Sequence, residues 1–389
     1  MLRYLTLVLK NTLRNRRRTT LTVLSIAASL CLLGSLAAMY RAFFLAEATE
    51  EESLRLIVRN RVSITSVVPI WYGDRIRQIP GVRAVSVLMW FGGSYKDPKE
   101  WKNNFARYSV DHKELFTIFP EYRISEEEKQ AFLRERTACV IGRDIADRLG
   151  LRSGDRVVLE GDLFPVRLEL TVRGIYDCRR DNENLFFHHE YLRESLPDFP
   201  KGYKNIAAMF IIRAHDTESV PRIAAVVDES FRNSPFQTKT ETERAFELSF
   251  LSYLGNVKVF LLSLAAALTF TVILVSANTM AMTVRERARE VGVLRTLGFT
   301  RGMVLAVILA EAVLIALAGG ALGISLAVLS CNLLRRIPVM FVSLQGLYVT
   351  PAVGVACLAV AAAIGVVSAS APAWSAARRA IVQSLRFTD

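Results

Sequence analysis

Residues 284–299 read VRERAREVGVLRTLGF, a charged stretch that decides the fold because it lies between two long apolar segments. At helical spacing its apolar residues share one face, and most of its charged side chains lie on the other. The apolar face comprises Val284, Ala288, Val291 and Leu294. Gly298 follows at the position where a helix would end. The stretch therefore predicts a short surface helix between two membrane spans, which either receives force from a partner or only anchors the spans.

The chain is 389 residues long and 52% hydrophobic, which is more apolar than a typical soluble protein. Its net charge of +12 is unevenly placed along the sequence. Residues 46–250 contain 31 Lys and Arg against 33 Asp and Glu, whereas all other residues together contain 18 basic and 4 acidic ones. The excess positive charge therefore flanks apolar segments, which indicates a membrane protein and argues against nucleic-acid binding.

Four apolar segments are long enough to cross a membrane. We predict these spans at residues 19–45, 256–283, 303–334 and 349–373. An amphipathic surface helix at 1–18 precedes them, and a tail at 374–389 follows. The first apolar segment is too long for a cleaved signal peptide, so we interpret it as a retained span. Lys and Arg cluster before the first span, within 284–299 and in the tail, so both termini and the 284–299 helix are expected in the cytoplasm.

Residues 46–250 are therefore expected on the outer side of the membrane as a large α+β domain. The segments 46–93 and 205–250 each show a β-α-β pattern, which predicts one α/β subdomain. Its first strand is expected at Val62–Ile64 and its last at Phe236–Lys239. Residues 94–204 are predicted to form an inserted smaller α+β subdomain, in which Ser125 and Glu128 form a capping box. Within it, Cys139 and Cys178 either pair, if this side is oxidising, or remain apart.

Three residues inside the third apolar segment are unusual. Glu311 is a carboxylate about two turns into the span, and it is either a functional contact or a structural group bonded to a neighbouring helix or arginine. Gly319 and Gly323 form a GxxxG step that permits close helix packing, within one subunit or between two.

The sequence contains no motif that would support catalysis. It has no GxxxxGK[ST] phosphate-binding loop and no GxSxG nucleophile turn. His188, His189 and Glu190 do not have the HExxH zinc spacing, and we expect this histidine pair to be solvated at the surface. We therefore predict no catalytic residue, no metal site and no cofactor in this chain.

Four stretches together resemble the MacB/FtsX-type superfamily of ABC transporter permeases. They are RAREVGVLRTLGFTR at 287–301, LAEAVLIALAGGALGISLA at 309–327, LKNTLRNRRRTTLTVLSIA at 9–27 and PAWSAARRAIVQSLR at 372–386. Weaker similarity lies in IPGVRAVS at 79–86 and GRDIADRLGLRSGDRV at 142–157. The resemblance implies a porter-like α/β subdomain with a smaller inserted one, in the cytoplasmic (inner) membrane of a bacterium.

The resemblance also implies partners. It implies a separate ABC ATPase that binds ATP and Mg, a second permease copy or a related permease, and a periplasmic adaptor with an outer-membrane channel. The ATPase would dock on the loop between the second and third spans. The matching residues here are Arg285, Glu286, Arg287, Glu290, Gly292, Leu294, Arg295 and Gly298. Unlike the MacB branch, this sequence has no fused ATPase, so the resemblance names neither the ATPase nor the substrate.

Three functions fit these observations. We expect an export permease that is driven by a separate ATPase, and two alternatives remain open. They are a lipoprotein-release permease of the same layout and an FtsX-like signal relay that activates a cell-wall enzyme. If the 284–299 helix couples the ATPase to the spans, replacing Glu290 and Leu294 should abolish coupling and leave membrane insertion intact.

Overall fold

The computed structural model of the protein describes residues 16–45, 49–179, 181–196, 203–253, 256–286, 288–335 and 346–378. The membrane spans belong to one compact unit, and the residues between the first and second spans belong to another. The predicted surface helix at 1–18 lies almost wholly outside the described residues, as does the tail beyond residue 378.

In chain order the helices are α1 (Arg16–Tyr40), α2 (Glu50–Ser53), α3 (Tyr72–Arg77), α4 (Leu115–Ile118), α5 (Glu126–Arg134), α6 (Arg143–Leu149), α7 (His189–Ser195), α8 (Ser219–Ser230), α9 (Glu243–Tyr253), α10 (Val257–Glu286), α11 (Ala288–Thr296), α12 (Arg301–Leu334) and α13 (Pro351–Arg378). The strands are β1 (Arg55–Asn60), β2 (Val68–Pro69), β3 (Val82–Trp90), β4 (Ala106–Val110), β5 (Ala138–Gly142), β6 (Arg156–Glu160), β7 (Arg167–Tyr176), β8 (Asn184–His188), β9 (Ile206–Ala207), β10 (Met209–Ala214) and β11 (Thr238–Thr242).

The four predicted spans are confirmed as helices that are long and apolar enough to cross a membrane. The membrane-length segments are Thr19–Leu45, Val257–Glu286, Arg301–Leu334 and Pro351–Ser375. The first of them ends in a π-helical turn at Arg41–Leu45. α12 packs against α1 and α13, and α10 packs against α13 and α1.

Small residues let these helices approach closely. A Cβ atom at Gly319 would lie 2.8 Å from the Cβ of Ile26, and one at Gly323 would lie 2.6 Å from the carbonyl oxygen of Ala27. Both distances are shorter than the 3.0 Å that a Cβ atom normally keeps from heavy atoms it is not bonded to. A residue larger than glycine would therefore push the two helices apart at these positions. The GxxxG step therefore packs the third span against the first within one subunit.

The outer unit is built on a mixed sheet of nine strands, counted among the described residues, in the order β11-β1-β10-β3-β4-β8-β5-β7-β6. β10 is antiparallel to both of its neighbours, β1 and β3. β1 is likewise antiparallel to β11 and β10. Each predicted β-α-β unit therefore leaves a gap between its two strands that a strand of the other unit fills, the interlocked arrangement of a split β-α-β fold. α3 and α8 cover one face of these four strands, around Tyr72, Phe210 and Ile223.

The expected positions of the first and last strands of the outer unit, in sequence order, were wrong. The first strand is Arg55–Asn60, and Val62 lies in the following loop with 85% of its surface exposed. All six residues of β1 are buried, including Arg55 and Arg59, so the apolar and polar alternation that would mark a half-exposed strand is absent. The last strand is Thr238–Thr242, two residues later than expected at its start.

The inserted segment continues the same sheet and does not form a layer of its own. β4 pairs with β3 on one side and with β8 on the other. The predicted capping box is confirmed, since Ser125 accepts from the backbone of Glu128 and the Glu128 side chain accepts in return. Cys139 is a buried free thiol that packs in a different apolar cluster from Cys178. The two cysteines do not form a disulfide.

Candidate coupling site between the second and third spans

The described residues of the charged stretch that follows the second span lie in two helical segments. Val284–Glu286 are the last residues of α10, which extends three residues beyond its predicted end at 283, and Ala288–Thr296 form α11. The helix predicted over 284–299 therefore ends three residues earlier than expected, at Thr296. Arg287, which was predicted to contact an ATPase, lies outside the described residues.

The end of α11 is fixed by a glycine in the left-handed conformation. Gly298 has φ +94°, which side-chain-bearing residues rarely adopt. Its N–H donates to the carbonyl of Arg295 at 3.2 Å, and the N–H of Phe299 donates to the carbonyl of Leu294 at 3.1 Å. This pair of hydrogen bonds is the Schellman motif. Thr300 then caps α12 by accepting from the N–H of Met303 at 3.3 Å, so the turn between the two helices is fully specified.

The inner face of α11 packs on the spans. α11 contacts α10, α12 and α13. Val291 and Gly292 are buried, and Leu294 is half-buried. Leu294 and Phe299 line a cavity whose walls also include Val284 of α10. Both the cap and this apolar contact therefore hold α11 against the ends of the helices it connects.

Glu311 belongs to the same site. Only 6% of its surface is exposed, and it lines the cavity together with Glu290 of α11. The sequence indicated an unusual carboxylate in the third span but not this neighbour, because Glu290 and Glu311 are 21 positions apart and come together through the turn at Gly298. The cavity beneath α11 is therefore lined by a buried carboxyl-bearing residue of the third span.

Two exposed apolar side chains lie on α11 and directly after its end. Val293 of α11 is 46% exposed, and Leu297, the residue that follows the helix, is 72% exposed. Arg285 and Glu286, at the end of α10, are also exposed. The predicted docking residues that the structure describes thus lie in several different environments. Arg285 and Glu286 face outward, Gly292 is buried, Glu290 and Leu294 line the cavity, Arg295 is half-buried, and Gly298 caps the helix.

Val293 and Leu297 were not singled out from the sequence. They are four positions apart, and the N–H of Leu297 donates to the carbonyl of Val293 at 3.1 Å, so both lie on the same side, roughly opposite the apolar stripe used for the prediction.

Among the described residues no group of three or more His, Cys, Asp or Glu side chains could hold a metal ion. α11 is a short helix that contacts three of the spans on one side and has exposed residues on the other.

His188 and His189 of the outer unit are buried, contrary to the expectation that this pair is solvated. His188 donates from Nε2 to the carbonyl of Phe132 at 2.8 Å, and its ring stacks on that of His112 at 4.1 Å between centroids. His189 bonds through Nδ1 to the hydroxyl of Ser109 at 3.0 Å. Burial lowers the pKa of both His188 and His189 to about 4. Both rings are therefore neutral parts of the core near pH 7.

Comparison with known proteins places the chain in a family. Residues 19–230 match the model of the MacB-like periplasmic core domain, and residues 262–381, which include α11, match the FtsX-like permease C-terminal model. An uncharacterized ABC transporter permease of Methanocaldococcus jannaschii is 24% identical over 399 residues, covering 98% of this chain and 97% of that protein. The macrolide export ATP-binding/permease protein MacB of Shewanella oneidensis is 40% identical over 112 residues, which is 28% of this chain and 16% of that protein.

Among solved structures, the periplasmic region of MacB from Actinobacillus actinomycetemcomitans superposes with a TM-score of 0.37 at 9% identity, covering 51% of this chain and 92% of that one. The two family models together span both the outer unit and the spans that follow it. The chain therefore belongs to the MacB/FtsX-type superfamily of ABC transporter permeases, as a membrane protein with a periplasmic domain.

Proposed function

We propose that the chain is the permease subunit of an ABC transporter, in which a separate ATPase drives movement of the periplasmic domain and thereby export of a substrate. The observation that carries this proposal is the two-faced structure of α11. Its inner residues pack on the spans, while Val293 and Leu297 remain exposed to a partner. A passive anchor needs only the inner face.

The proposed orientation follows from the basic residues. Lys and Arg are concentrated before the first span, around α11 and in the tail, so these parts lie in the cytoplasm under the positive-inside rule. α11 is then on the side where ATP is available. The membrane is the inner membrane, and the large domain between the first and second spans lies on its outer side.

The mechanism transmits force and uses no cofactor held by this chain. ATP and Mg bind to the partner ATPase, and closure of two ATPase copies pushes on α11 in each of two permease copies. Because α11 is fixed to α10, α12 and α13, the push tilts the spans as a body and moves the domain beyond them. An adaptor and an outer-membrane channel would carry the substrate onward.

Crosslinked affinity purification from membranes tests the ATPase partnership. The wild-type chain is expected to recover one ABC ATPase, and the double variant Val293→Glu, Leu297→Glu is expected to lose it. The matched control is Val293→Ile with Leu297→Met, which keeps the apolar surface. Equal recovery of the ATPase by the charged double variant would contradict the proposal.

Reconstituted vesicles separate export from the two alternatives. ATP turnover by the permease and its ATPase is measured with a panel of export substrates, with an acylated protein and with a cell-wall hydrolase. Stimulation by a member of the export panel is the expected result. Stimulation by the acylated protein alone would instead identify lipoprotein release, and stimulation by the hydrolase alone would identify a signal relay.

A further inference from the structure

Two arginines stand side by side on one face of the sheet. Arg55 of β1 and Arg213 of β10 are directly paired in the strand register. The exposed fractions of their side chains are only 3% and 7%. Like charges opposite each other in a sheet repel, and a guanidinium cannot relieve the repulsion by losing its proton. The pair therefore needs carboxylates from elsewhere in the chain.

Those carboxylates come from three separate segments. Arg55 donates from Nε to Glu243 and from Nη1 to Glu121, both at 2.6 Å. Arg213 donates from Nη2 to Glu51, also at 2.6 Å. Three carboxylates thus surround two guanidinium groups, and each contact is a short charge-assisted hydrogen bond.

The segment at 117–121 joins the two arginines. Arg213 donates from Nη1 to the carbonyl of Thr117 at 3.0 Å, and the guanidinium of Arg55 lies 4.8 Å from the centre of the Phe119 ring. Glu121 completes the contact with Arg55. This segment belongs to the inserted part of the domain, residues 94–204. The two arginines, which lie in β1 and β10, therefore connect the inserted part with the α/β subdomain.

The other two carboxylates lie where the chain enters and leaves the domain. Glu51 is in α2, which begins five positions after the first span ends at Leu45. Glu243 is the first residue of α9, which leads to the second span at Val257. α2 and α9 also contact each other. The described helices next to the first and second spans in the sequence, α2 and α9, are thereby each tied to one of two adjacent arginines.

We propose that Arg55 and Arg213 are positioning residues that fasten both span connectors, α2 and α9, and the 117–121 segment to one end of the sheet. This junction makes α2, α9 and the 117–121 segment move with the sheet as one body. Buried ion pairs are weak evidence for stability, since apolar residues of similar volume often stabilise as well, but losing one member leaves a buried charge without its partner. The junction therefore holds these segments in position and is not proposed to add stability. Its relevance to transport rests on the proposed function.

Hydrogen exchange of the full-length permease in nanodiscs, without ATP or ATPase, tests the junction. In Glu243→Gln we expect amide exchange about tenfold faster in α2 and in 117–121, although the substitution is in α9. In Glu51→Gln we expect the reciprocal effect in α9. Strands β5–β7 should exchange as in the wild type, which a general loss of stability would not allow. Glu243→Asp, which keeps the charge, should restore most of the protection.

Matched controls are available on the same two helices. Glu247 of α9 forms an exposed pair with Arg244 at 2.9 Å, and Glu50 of α2 is exposed. Glu247→Gln and Glu50→Gln are expected to leave exchange elsewhere unchanged. The junction is refuted if each substitution affects only its own helix, or if exchange rises equally in β5–β7.

The same samples with ATPase and ATP keep the two proposals separable. If the wild type shows no ATP-dependent change in exchange at α11 or in the domain, the proposed function fails and the junction stands. If ATP produces such changes and the cross-effect between α2 and α9 is absent, the junction fails and the proposed function stands.

Discussion

Removing the exposed apolar side chains of Val293 in α11 and of Leu297 directly after it should weaken ATPase binding by a calculable amount. Full burial of a Leu or Val side chain contributes about 1.5–3 kcal/mol. Leu297 is 72% exposed and Val293 is 46% exposed. A partner could therefore cover most of the Leu297 side chain and about half of the Val293 side chain. For the double variant Val293→Ala, Leu297→Ala the expected loss is roughly 2–3 kcal/mol, or about 30- to 150-fold in Kd.

The assay is equilibrium binding of the purified ATPase to the permease in nanodiscs. The unfolding temperature of the double variant should match the wild type, because both side chains already face outward. Leu294→Ala serves as the comparison, since Leu294 lines the cavity beneath α11. It should retain ATPase binding and lose coupling. A change of less than about threefold in the Kd of the double variant would refute the docking surface, because that is below 0.7 kcal/mol.

Three further predictions concern packing, capping and pH. Gly323→Leu should reduce the yield of folded protein, because the new side chain would meet the backbone of the first span. Gly302→Ala in the same helix should be tolerated, since a Cβ atom there meets nothing closer than 4.0 Å. The yield of monodisperse protein after detergent extraction measures both effects. Gly298→Ala should destabilise the end of α11 by about 1 kcal/mol, measured as faster amide exchange there, and an unchanged rate would contradict the left-handed cap. Because burial lowers the pKa of His188 and His189 to about 4, the unfolded chain takes up protons first as pH falls below about 6.5. The contribution of each histidine to stability should be constant above that pH and decline by about 1.4 kcal/mol per pH unit toward pH 4. Thermal unfolding between pH 7 and pH 5 should therefore depend less on pH in a His188→Gln, His189→Gln variant than in the wild type, and an equal dependence would contradict their burial.

The spans and the local signals could be predicted from the sequence. Runs of apolar residues define a span without reference to the rest of the fold, because each helix satisfies its own backbone hydrogen bonds. The capping box at Ser125 and the helix end at Gly298 depend only on residues within a few positions. Apolar runs, capping boxes and glycine helix ends are all local signals, so each can be predicted from the sequence alone.

The misplaced features depend on distant residues. β1 contains Arg55 and Arg59, which resemble surface residues until Glu243, Glu121 and Glu241 are brought to them by the fold. The burial of His188 follows from packing against Phe132, 56 positions earlier. Charged and imidazole side chains are expected at the surface, and only their remote partners make burial tolerable.

The coupling site shows the same division. The amphipathic pattern of 284–299 identified the inner face, because that pattern is local. The presence of Glu290 and Glu311 in the lining of one cavity depends on the turn at Gly298, which joins α11 to α12. Sequence reasoning therefore located the site but not the arrangement of its two faces.

A direct distance measurement tests the central claim that α11 and the periplasmic domain move together. Spin labels at Arg285, at the exposed end of α10, and at Val226, exposed on α8, report the separation of the two units in the full complex. Trapping the ATPase with ATP should shift the measured distance by several ångströms, and the Leu294→Ala variant should hydrolyse ATP without the shift. An unchanged distance in the wild type during full ATP turnover would contradict the account.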